Sequence, residues 1–200
     1  MLAAGASTRM GQPKQLLSWQ GETLIHRAVQ TALATKCKSV ILVLGAYANE
    51  IHQEIGKFEI SITENPNWQE GMSTSVKMGL ETLLSANPNV RGALFMLSDQ
   101  PLLISAHLER LMDEFFQQQA ASNKPQVASI IASFYNEKAS VPALFDRKWF
   151  EQLMQLKGDQ GARALLQTYS DEIQAIPLPE GAFDLDTPED YEQLIKNIKY

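Results

Sequence analysis

Two positively charged side chains, Arg9 and Lys14, lie in a loop of small residues near the start of the chain, a combination that suits the binding of a triphosphate. From Leu2 to Lys14 the sequence reads Leu-Ala-Ala-Gly-Ala-Ser-Thr-Arg-Met-Gly-Gln-Pro-Lys, so a short apolar strand breaks into the loop. Gly5 and Gly11 permit the positive φ angles that turn backbone N–H groups towards one anion, and Arg9 and Lys14 add full charges. The spacing matches neither a Walker loop nor the Gly-x-Gly-x-x-Gly of dinucleotide folds. The loop predicts a phosphate site, and the alternative for such a loop by itself is an ordinary glycine-containing turn.

Two carboxylates later in the chain suit a hard divalent cation. Asp99 follows an apolar run and precedes Pro101, so we expect its carboxylate to face the crevice at the end of a buried strand. Asp186 stands just ahead of a helix-start signal. Mg²⁺ takes one or two protein carboxylates and completes its shell with water and phosphate oxygens. Together with the phosphate loop, the pair predicts a Mg²⁺ site; the alternatives are an Asx-turn at Asp99 and a helix cap at Asp186.

Apolar runs that alternate with helix-period segments must position these residues. Residues 39–45 and 92–98 are nearly all apolar, which is typical of strands buried on both faces of a parallel sheet. Helical periodicity follows Thr23 and Ser73, and a last helix is expected after Thr187. Further strands are predicted at Val127 to Ala132 and Ile173 to Ile176, further helices from Trp149 and from Gln160, and a connection at Gln117 to Gln126. The alternation predicts an α/β fold, a Rossmann-like three-layer α/β/α sandwich with a mostly parallel central sheet, as a single domain over residues 1–200.

Bulk composition narrows the classes of partner. The net charge is −6 and no Lys/Arg-rich run occurs, so the chain lacks the basic patch that is typical of proteins that bind nucleic acids or anionic membranes. We expect small molecules or other proteins as partners. Cys37, the one cysteine, cannot form an internal disulfide, and there is neither a signal-peptide pattern nor an apolar run of ~18 residues, so we expect a cytoplasmic protein. A buried strand usually has ~5 residues or more, and we therefore expect either that a few native residues precede Met1 or that the start codon is assigned too late.

Five segments of the chain form a combination of motifs: the loop at 2–14, Gly-Met-x-x-Ser at 71–75, Asp-Gln-Pro-Leu at 99–102, Gly-Asp-x-Gly-Ala-Arg at 158–163 and Asp-x-Asp-Thr-Pro-Glu-Asp at 184–190. Taken together, they resemble the nucleotidyltransferases related to the molybdenum cofactor cytidylyl- and guanylyltransferases. The resemblance covers nearly the whole chain and implies an α/β fold of the nucleotide-diphospho-sugar transferase type. It implies the transfer of a nucleoside monophosphate to the phosphate of molybdopterin, with release of pyrophosphate. The Leu-Ala-Ala-Gly start is similar to the cytidylyl members, which favours CTP over GTP.

The same resemblance implies roles for individual residues. Arg9, Lys14 and Asp99 are the implied catalytic residues, and Asp99 and Asp186 would bind Mg²⁺. Nucleotide-binding positions are implied at Leu2, Ala3, Ala4, Gly5, Arg9, Lys14, Gly71 and Ser75. Acceptor-binding positions are implied at Gln100 and Arg163. The implied partners are CTP or another nucleoside triphosphate, a molybdopterin-type phosphate acceptor, and a molybdoenzyme or its chaperone.

One segment departs from the family pattern and leaves the acceptor more open than the nucleotide. Family members commonly have Gly two residues before the Pro of Gly-x-Pro-x-x-Phe, but this chain has Ser140-Val141-Pro142. A side chain where backbone usually approaches closely would narrow or alter the acceptor site. Two other functions remain: a nucleotidyltransferase for a sugar or polyol phosphate, and a non-catalytic carrier of molybdenum cofactor. A Rossmann oxidoreductase is the weakest alternative, because no Gly-x-Gly-x-x-Gly follows a strand.

Overall fold

The structure, a computed structural model, describes residues 1–120, 128–179, 183 and 185–197. Its strands are β1 (Leu2–Ala3), β2 (Ser18–Trp19), β3 (Glu22–Thr23), β4 (Ile41–Leu44), β5 (Ser61–Glu64), β6 (Gly92–Phe95), β7 (Ile130–Tyr135), β8 (Lys138–Asp146) and β9 (Ile173–Pro177). Its α-helices are α1 (Leu24–Leu33), α2 (Ala48–Ile55), α3 (Met72–Ala86), α4 (Ser105–Ala120), α5 (Phe150–Met154), α6 (Arg163–Thr168) and α7 (Pro188–Asn197). In this part of the chain, no helix is both long enough and apolar enough to cross a membrane.

A mixed, mostly parallel sheet lies between two layers of helices. β1 pairs in parallel with β4, and β4 with β5, while a parallel bridge from Leu2 to Leu97 joins β1 to the end of β6. On the other side of β6 the order continues β8-β7-β9, with β8 antiparallel to its two neighbours. The predicted three-layer α/β/α class with a mostly parallel sheet is confirmed, and β8 is the exception to the parallel direction.

The helix layers follow from apolar periodicity on each helix. In α1, Thr23 caps the first turn by accepting a hydrogen bond from the His26 N–H at 3.2 Å, and Ile25 and Val29 are fully buried against β4 and α2. On the other face of the sheet, Val76 and Leu80 of α3 join one core with β6, β8, α5 and α6. Both helices were predicted from their periodicity.

Several predicted boundaries differ from the structure. The strand predicted from Val127 begins at Ile130; Val127 itself lies outside the described residues, as does most of the predicted connection at Gln117 to Gln126, whose first residues belong to α4. The helix expected from Gln160 begins at Arg163. β5, β8 and the β2–β3 hairpin were not predicted; β5 and the hairpin show no continuous apolar run. β8 contains Ser140 and Pro142 in its interior, which interrupts the strand pattern.

Candidate functional site

The loop that follows β1 is closed by two polar side chains. Gln15 is 1% exposed, and its side-chain amide donates to the carbonyls of Ala3 at 3.1 Å and Gly5 at 3.0 Å. The Ser7 hydroxyl accepts the backbone N–H of Lys14 at 3.2 Å and donates to Gln15 at 3.3 Å. These bonds fix the path of the loop from inside, so its outer side remains available to a ligand. The sequence analysis missed Gln15, because nothing in a polar loop marks one glutamine as buried.

Positive φ angles occur in the loop, but not all at the predicted positions. Gly11 has φ of +71°, as expected of a residue in an anion-binding turn. Gly5 does not adopt the positive φ that a glycine permits, and Ser7 takes the left-handed conformation instead, with φ of +51°. The hydroxyl of Ser7 has local partners that stabilise this conformation. A Cβ added at Gly5 would meet nothing within 4 Å, so space lies beside its backbone. The nucleotide-binding role of Gly5 stays a prediction.

Four charged side chains, which we call the charged cluster, meet beside this loop: Arg9, Lys14, Asp99 and Asp186. The Lys14 Nζ lies 2.5 Å from Asp99 Oδ2 and 3.2 Å from Asp186 Oδ1. Arg9 contacts the other oxygen of Asp186 at 2.9 Å. The sequence analysis expected these residues to share one site, and the structure brings all of them together.

Burial and charge act in opposite directions on Lys14. Burial by itself would lower the pKa of the Lys14 ammonium, but the charges of Asp99 and Asp186 and their hydrogen bonds outweigh it and raise that pKa above its usual value. Lys14 therefore remains charged throughout the neutral range. The side chains of Lys14 and Asp99 are 16% and 13% exposed, so water screens this ion pair less than an ion pair on the surface.

Asp186 is positioned by the start of α7. Asp190 accepts hydrogen bonds from the backbone N–H groups of Asp186 at 3.0 Å and Thr187 at 2.8 Å, and from the Thr187 hydroxyl at 2.9 Å. The Thr187 hydroxyl accepts the Asp190 N–H at 3.3 Å, which completes a reciprocal cap. The Leu185 N–H donates to the carbonyl of Asp99 at 3.3 Å, so this cap is tied to the loop after β6. The alternative of a helix cap at Asp186 was wrong, because Thr187 and Asp190 form the cap and the carboxylate of Asp186 contacts Lys14 and Arg9. Asp184 lies outside the described residues.

The two carboxylates have the chemistry of a Mg²⁺ site that relies on phosphate. Asp99 Oδ1 is buried and has no hydrogen-bond partner among the described residues, so an acceptor oxygen is available beside the one that binds Lys14. In the same part of the chain, no group of three or more His, Cys, Asp or Glu residues could hold a metal ion. Mg²⁺ commonly binds through one or two carboxylates and substrate phosphates. The residues present therefore fit a metal that arrives with a nucleotide.

A second region, which we call the glycine seam, joins the start of α3 to the loop before α6 through Gly71, Met72, Gly158 and Gly161. Gly71 has φ of +109°, and a Cβ there would lie 2.3 Å from the carbonyl carbon of Gly158. A Cβ at Gly161 would lie 2.4 Å from Met72 Sδ. The Ser73 N–H donates to the carbonyl of Gly158 at 3.0 Å. Two of the segments that carry the family resemblance therefore pack backbone against backbone.

A cavity of about 210 Å³ lies beside the glycine seam. Its walls include Leu2, Met72, Phe95, Leu97, Tyr135, Ser140, Val141 and Arg163. Leu97, which is part of its wall, stands two residues ahead of Asp99 in the chain. Arg163 was predicted as an acceptor-binding residue, and it supplies a cation to the wall of this cavity.

Tyr135 and Ser140 of that wall belong to a buried network of neutral polar side chains. The Gln100 amide donates to the Tyr135 hydroxyl and to the Val141 carbonyl, both at 3.2 Å, and the hydroxyls of Tyr135 and Ser140 are 2.9 Å apart. Ser140 is 2% exposed and Gln100 is 6% exposed. The serine that departs from the family pattern is thus a bonded part of the cavity wall. Tyr135 was missed by the sequence analysis, because only the pairing of β7 with β8 brings it to Gln100.

Ser75 is held inside the fold in this structure. It is 4% exposed, and its hydroxyl accepts a hydrogen bond from the Asn65 side chain at 2.9 Å. Asn65 also donates to the Thr74 hydroxyl at 2.8 Å, so it fixes the first turn of α3 against the end of β5. Asn65 is a positioning residue that the sequence analysis missed. The nucleotide-binding roles of Ser75 and Gly71 remain predictions.

A larger cavity of about 510 Å³ lies at the other end of the strands. It is lined by Met1, Ile41 and Gly92, where β1, β4 and β6 start, and by apolar side chains of α3 and α4. Ligands of open α/β sheets bind outside the carboxyl ends of the strands. The charged cluster and the smaller cavity occupy that end, and we take them as the candidate site.

The fold and this site define an α/β protein with a phosphate-type loop and a carboxylate pair at the carboxyl ends of its strands. Comparison with known proteins gives the family. The protein-family model described as "MobA-like NTP transferase domain" matches residues 1–173, and the chain belongs to that family.

Named relatives are similar to this chain over very different lengths. A molybdenum cofactor cytidylyltransferase from Escherichia coli (strain K12) is 41% identical over 76 residues, which are 38% of this chain and 39% of the relative. A nicotine blue oxidoreductase from Paenarthrobacter nicotinovorans is 35% identical over 113 residues, 56% of this chain and 53% of the relative. The chain thus matches only about half or less of these two relatives. The purine catabolism protein PucB from Bacillus subtilis (strain 168) is 29% identical over 205 residues, with 96% of this chain and 93% of the relative covered.

Solved structures match over almost the whole chain. A homologue of Mycobacterium tuberculosis Rv0371c from Mycobacterium sp. strain JC1 has a TM-score of 0.79 at 27% identity, covering 98% of this chain and 93% of that one. Rv0371c from Mycobacterium tuberculosis H37Rv in complex with manganese has a TM-score of 0.75 at 26% identity, covering 98% and 96%. Similarity at this coverage supports the fold and order of elements described above.

Proposed function

We propose that this protein is a Mg²⁺-dependent nucleotidyltransferase that moves CMP from CTP to the phosphate of a molybdopterin-type acceptor and releases pyrophosphate. The observation that carries the proposal is the charged cluster, in which Lys14 and Arg9 of the phosphate-type loop meet the carboxylates of Asp99 and Asp186. The family supports the reaction type. The match to a relative named a cytidylyltransferase and the Leu-Ala-Ala-Gly start support CTP.

The reaction needs charge neutralisation and positioning more than a general base. An oxygen of the acceptor phosphate attacks the α-phosphorus of CTP, and the bond from that phosphorus to the bridging oxygen of pyrophosphate breaks. A phosphate monoester has a second pKa of about 6, so its oxygen is mostly deprotonated at neutral pH. The protein therefore has no proton to remove from the nucleophile. This agrees with a site built from Lys, Arg and Asp.

The loop cations would stabilise the negative charge that develops on the leaving group. Lys14 stays protonated because the carboxylates raise its pKa, so it can contact the β- and γ-phosphates as a full charge. Arg9 is 69% exposed and can turn towards a phosphate without breaking a buried contact. When Mg²⁺ is bound, Asp99 and Asp186 would hold it, and it would neutralise phosphate charge and orient the triphosphate.

The smaller cavity would receive the acceptor. Leu97 in its wall is two residues from Asp99 in the chain, and Arg163 would provide a cation for the acceptor phosphate. Its walls combine apolar side chains with the polar residues Tyr135 and Ser140, which suits a flat ring system with polar edges. The network of Gln100, Tyr135 and Ser140 would hold that wall in place.

The test is pyrophosphate release by the purified protein with Mg²⁺, molybdenum-loaded molybdopterin and, in separate reactions, CTP, GTP or ATP. We expect release with CTP and the pterin and none without an acceptor. Release with GTP or ATP in preference to CTP would overturn the nucleotide assignment. Release only with a sugar phosphate would overturn the acceptor assignment, and CTP binding without release on any acceptor would favour the non-catalytic carrier.

A further inference from the structure

The Lys14 ammonium is bound on three sides. Besides Asp99 Oδ2 at 2.5 Å and Asp186 Oδ1 at 3.2 Å, it donates to the carbonyl of Leu185 at 3.3 Å. An ammonium has three N–H donors and accepts nothing, so this set uses all of its hydrogen-bonding capacity. In this arrangement Lys14 contacts the carboxylates of the candidate metal site and has no donor left for a phosphate.

The second carboxylate is occupied on both oxygens. Asp186 Oδ1 contacts Lys14, and Asp186 Oδ2 contacts Arg9 at 2.9 Å. A Mg²⁺ ion bound to both carboxylates would lie about 2.0–2.1 Å from an oxygen of each. It would share Asp186 with two cations, and its charge would repel the Lys14 ammonium a few ångströms away. A metal bound to both carboxylates and the Lys14 ammonium would therefore compete for the position between Asp99 and Asp186.

We propose that Lys14 occupies the metal position in the nucleotide-free protein and that the triphosphate draws it away, so that metal and nucleotide bind together. This inference rests on the proposed function, because it uses Asp99 and Asp186 as metal ligands and Lys14 as a phosphate ligand. The phosphate oxygens of the nucleotide replace the carboxylates as partners of Lys14, and the freed carboxylates accept the metal. Binding of the metal alone is weak as a result, since it must displace the Lys14 ammonium from both carboxylates without a new anionic partner for that ammonium.

The experiment measures the binding of Mn²⁺ alone to the full chain without nucleotide, by the loss of the free-ion signal in electron paramagnetic resonance. Lys14→Met removes the charge and keeps an unbranched side chain, and we expect it to bind Mn²⁺ about tenfold more tightly than the wild type, within the usual range of coupling between ligands. Lys14→Arg keeps the cation, and its affinity should stay near the wild-type value.

The matched control is Lys148→Met. Lys148 pairs with Glu172 at 3.1 Å, with both side chains about half exposed, so the variant makes the same change in net charge in another ion pair. Its Mn²⁺ affinity should equal that of the wild type. A similar tightening in Lys148→Met and Lys14→Met would show a general charge effect and would overturn the proposal.

Two results separate this inference from the proposed function. If Lys14→Met binds Mn²⁺ no more tightly than the wild type, while Asp99→Asn abolishes the binding of the Mn²⁺–CTP complex to the protein, measured against CTP without protein, the inference fails and the metal site stands. If Asp99→Asn changes Mn²⁺ binding neither with CTP nor in the Lys14→Met background, the metal site itself fails, and the inference fails with it.

A measurement on the wild type covers the case in which Lys14→Met does not fold. With ¹⁵N-labelled lysine, the Nζ resonance of Lys14 should be assignable by comparison with Lys14→Arg, and its three partners should slow the exchange of its protons with water. We expect saturating Mg²⁺ together with CTP to shift this resonance, and millimolar Mg²⁺ alone to leave it in place. A full shift with low millimolar Mg²⁺ alone would show that Lys14 does not weaken the binding of the metal, and it would overturn the proposal.

Discussion

The charged cluster and the glycine seam lie at the same end of the sheet but are held together by different forces. The cluster joins three loops through ion pairs, with Lys14 bound to Asp99 and Asp186. The seam joins the start of α3 to the loop before α6 by backbone contact, with room for no Cβ at Gly71. Ion pairs can exchange partners when a charged ligand arrives, whereas close backbone packing has one arrangement. We therefore expect the charged cluster to rearrange when a charged ligand binds and the glycine seam to keep its arrangement.

The largest expected effect comes from removing one charge of the cluster. In Asp99→Asn we expect pyrophosphate release to fall by about 10²–10³-fold, because the carboxylate that would hold Mg²⁺ beside the reacting phosphates is lost. Steady-state assays with CTP and acceptor measure this. Circular dichroism should show an unchanged fold, since the substitution keeps the shape of the side chain. Wild-type activity in Asp99→Asn would remove the cluster from the mechanism.

Gly71→Ala tests the seam by steric means. Its Cβ would lie 2.3 Å from the Gly158 carbonyl carbon, at a φ of +109° that L-residues rarely adopt. The strained backbone alone costs about 1–3 kcal/mol, and the contact adds to it, so the free energy of unfolding in urea should fall by at least that amount. Gly5→Ala is the matched control, because a Cβ there meets nothing within 4 Å; its stability should stay within about 0.5 kcal/mol of the wild type. Equal losses in both variants would contradict a tightly packed seam beside an open loop.

Ser140→Gly places the usual family residue in the wall of the smaller cavity. Loss of the hydroxyl removes one hydrogen bond of Tyr135, whose hydroxyl keeps the Val141 carbonyl and the Gln100 amide as partners, and one such bond contributes about 0.5–1.5 kcal/mol. We expect reduced stability and a changed KM for the acceptor, with the KM for CTP unaltered. Separate titrations of the two substrates make the distinction. A change confined to the KM for CTP would place Ser140 on the nucleotide side.

The smallest expected effect concerns the cap that positions Asp186. Asp190→Ala removes the acceptor of three hydrogen bonds at the start of α7 and should cost about 0.5–2 kcal/mol. Burial acts to raise the pKa of Asp190, but its hydrogen bonds with Thr187 and Asp186 and the charge of Arg9 lower it below 3.8 overall. The stabilisation is therefore present above pH 3.8 and is lost as the pH falls through the lower folded-state value.

Urea unfolding at several pH values tests this prediction. The difference between wild type and Asp190→Ala should be full at pH 7 and should shrink below about pH 4. Glu189→Ala, one residue earlier in the same turn of α7, is the control and should show a smaller loss. A difference that is the same at pH 7 and pH 3 would mean that the ionised carboxylate does not provide the cap.

The elements that the sequence predicted are those with local signals. β4 and β6 are continuous apolar runs, and α1 has a Thr23 cap followed by an apolar face, so short-range preferences specify them. β5 and β8 form because neighbouring strands supply hydrogen-bonding partners, and their own residues are mixed in polarity. In β8 the buried polar residue Ser140 is acceptable only because Tyr135 pairs with it.

The sequence by itself determined the residue types of the site: a loop with Arg9 and Lys14, and carboxylates at Asp99 and Asp186. Only the tertiary structure decided their pairing, because Lys14 and its partners are 85 and 172 positions apart along the chain. It also decided that Gln15 closes the loop and that Ser7, not Gly5, takes the left-handed conformation. Such contacts arise where loops from distant strands meet at one edge of the sheet, and local propensity carries no information about which side chains meet there.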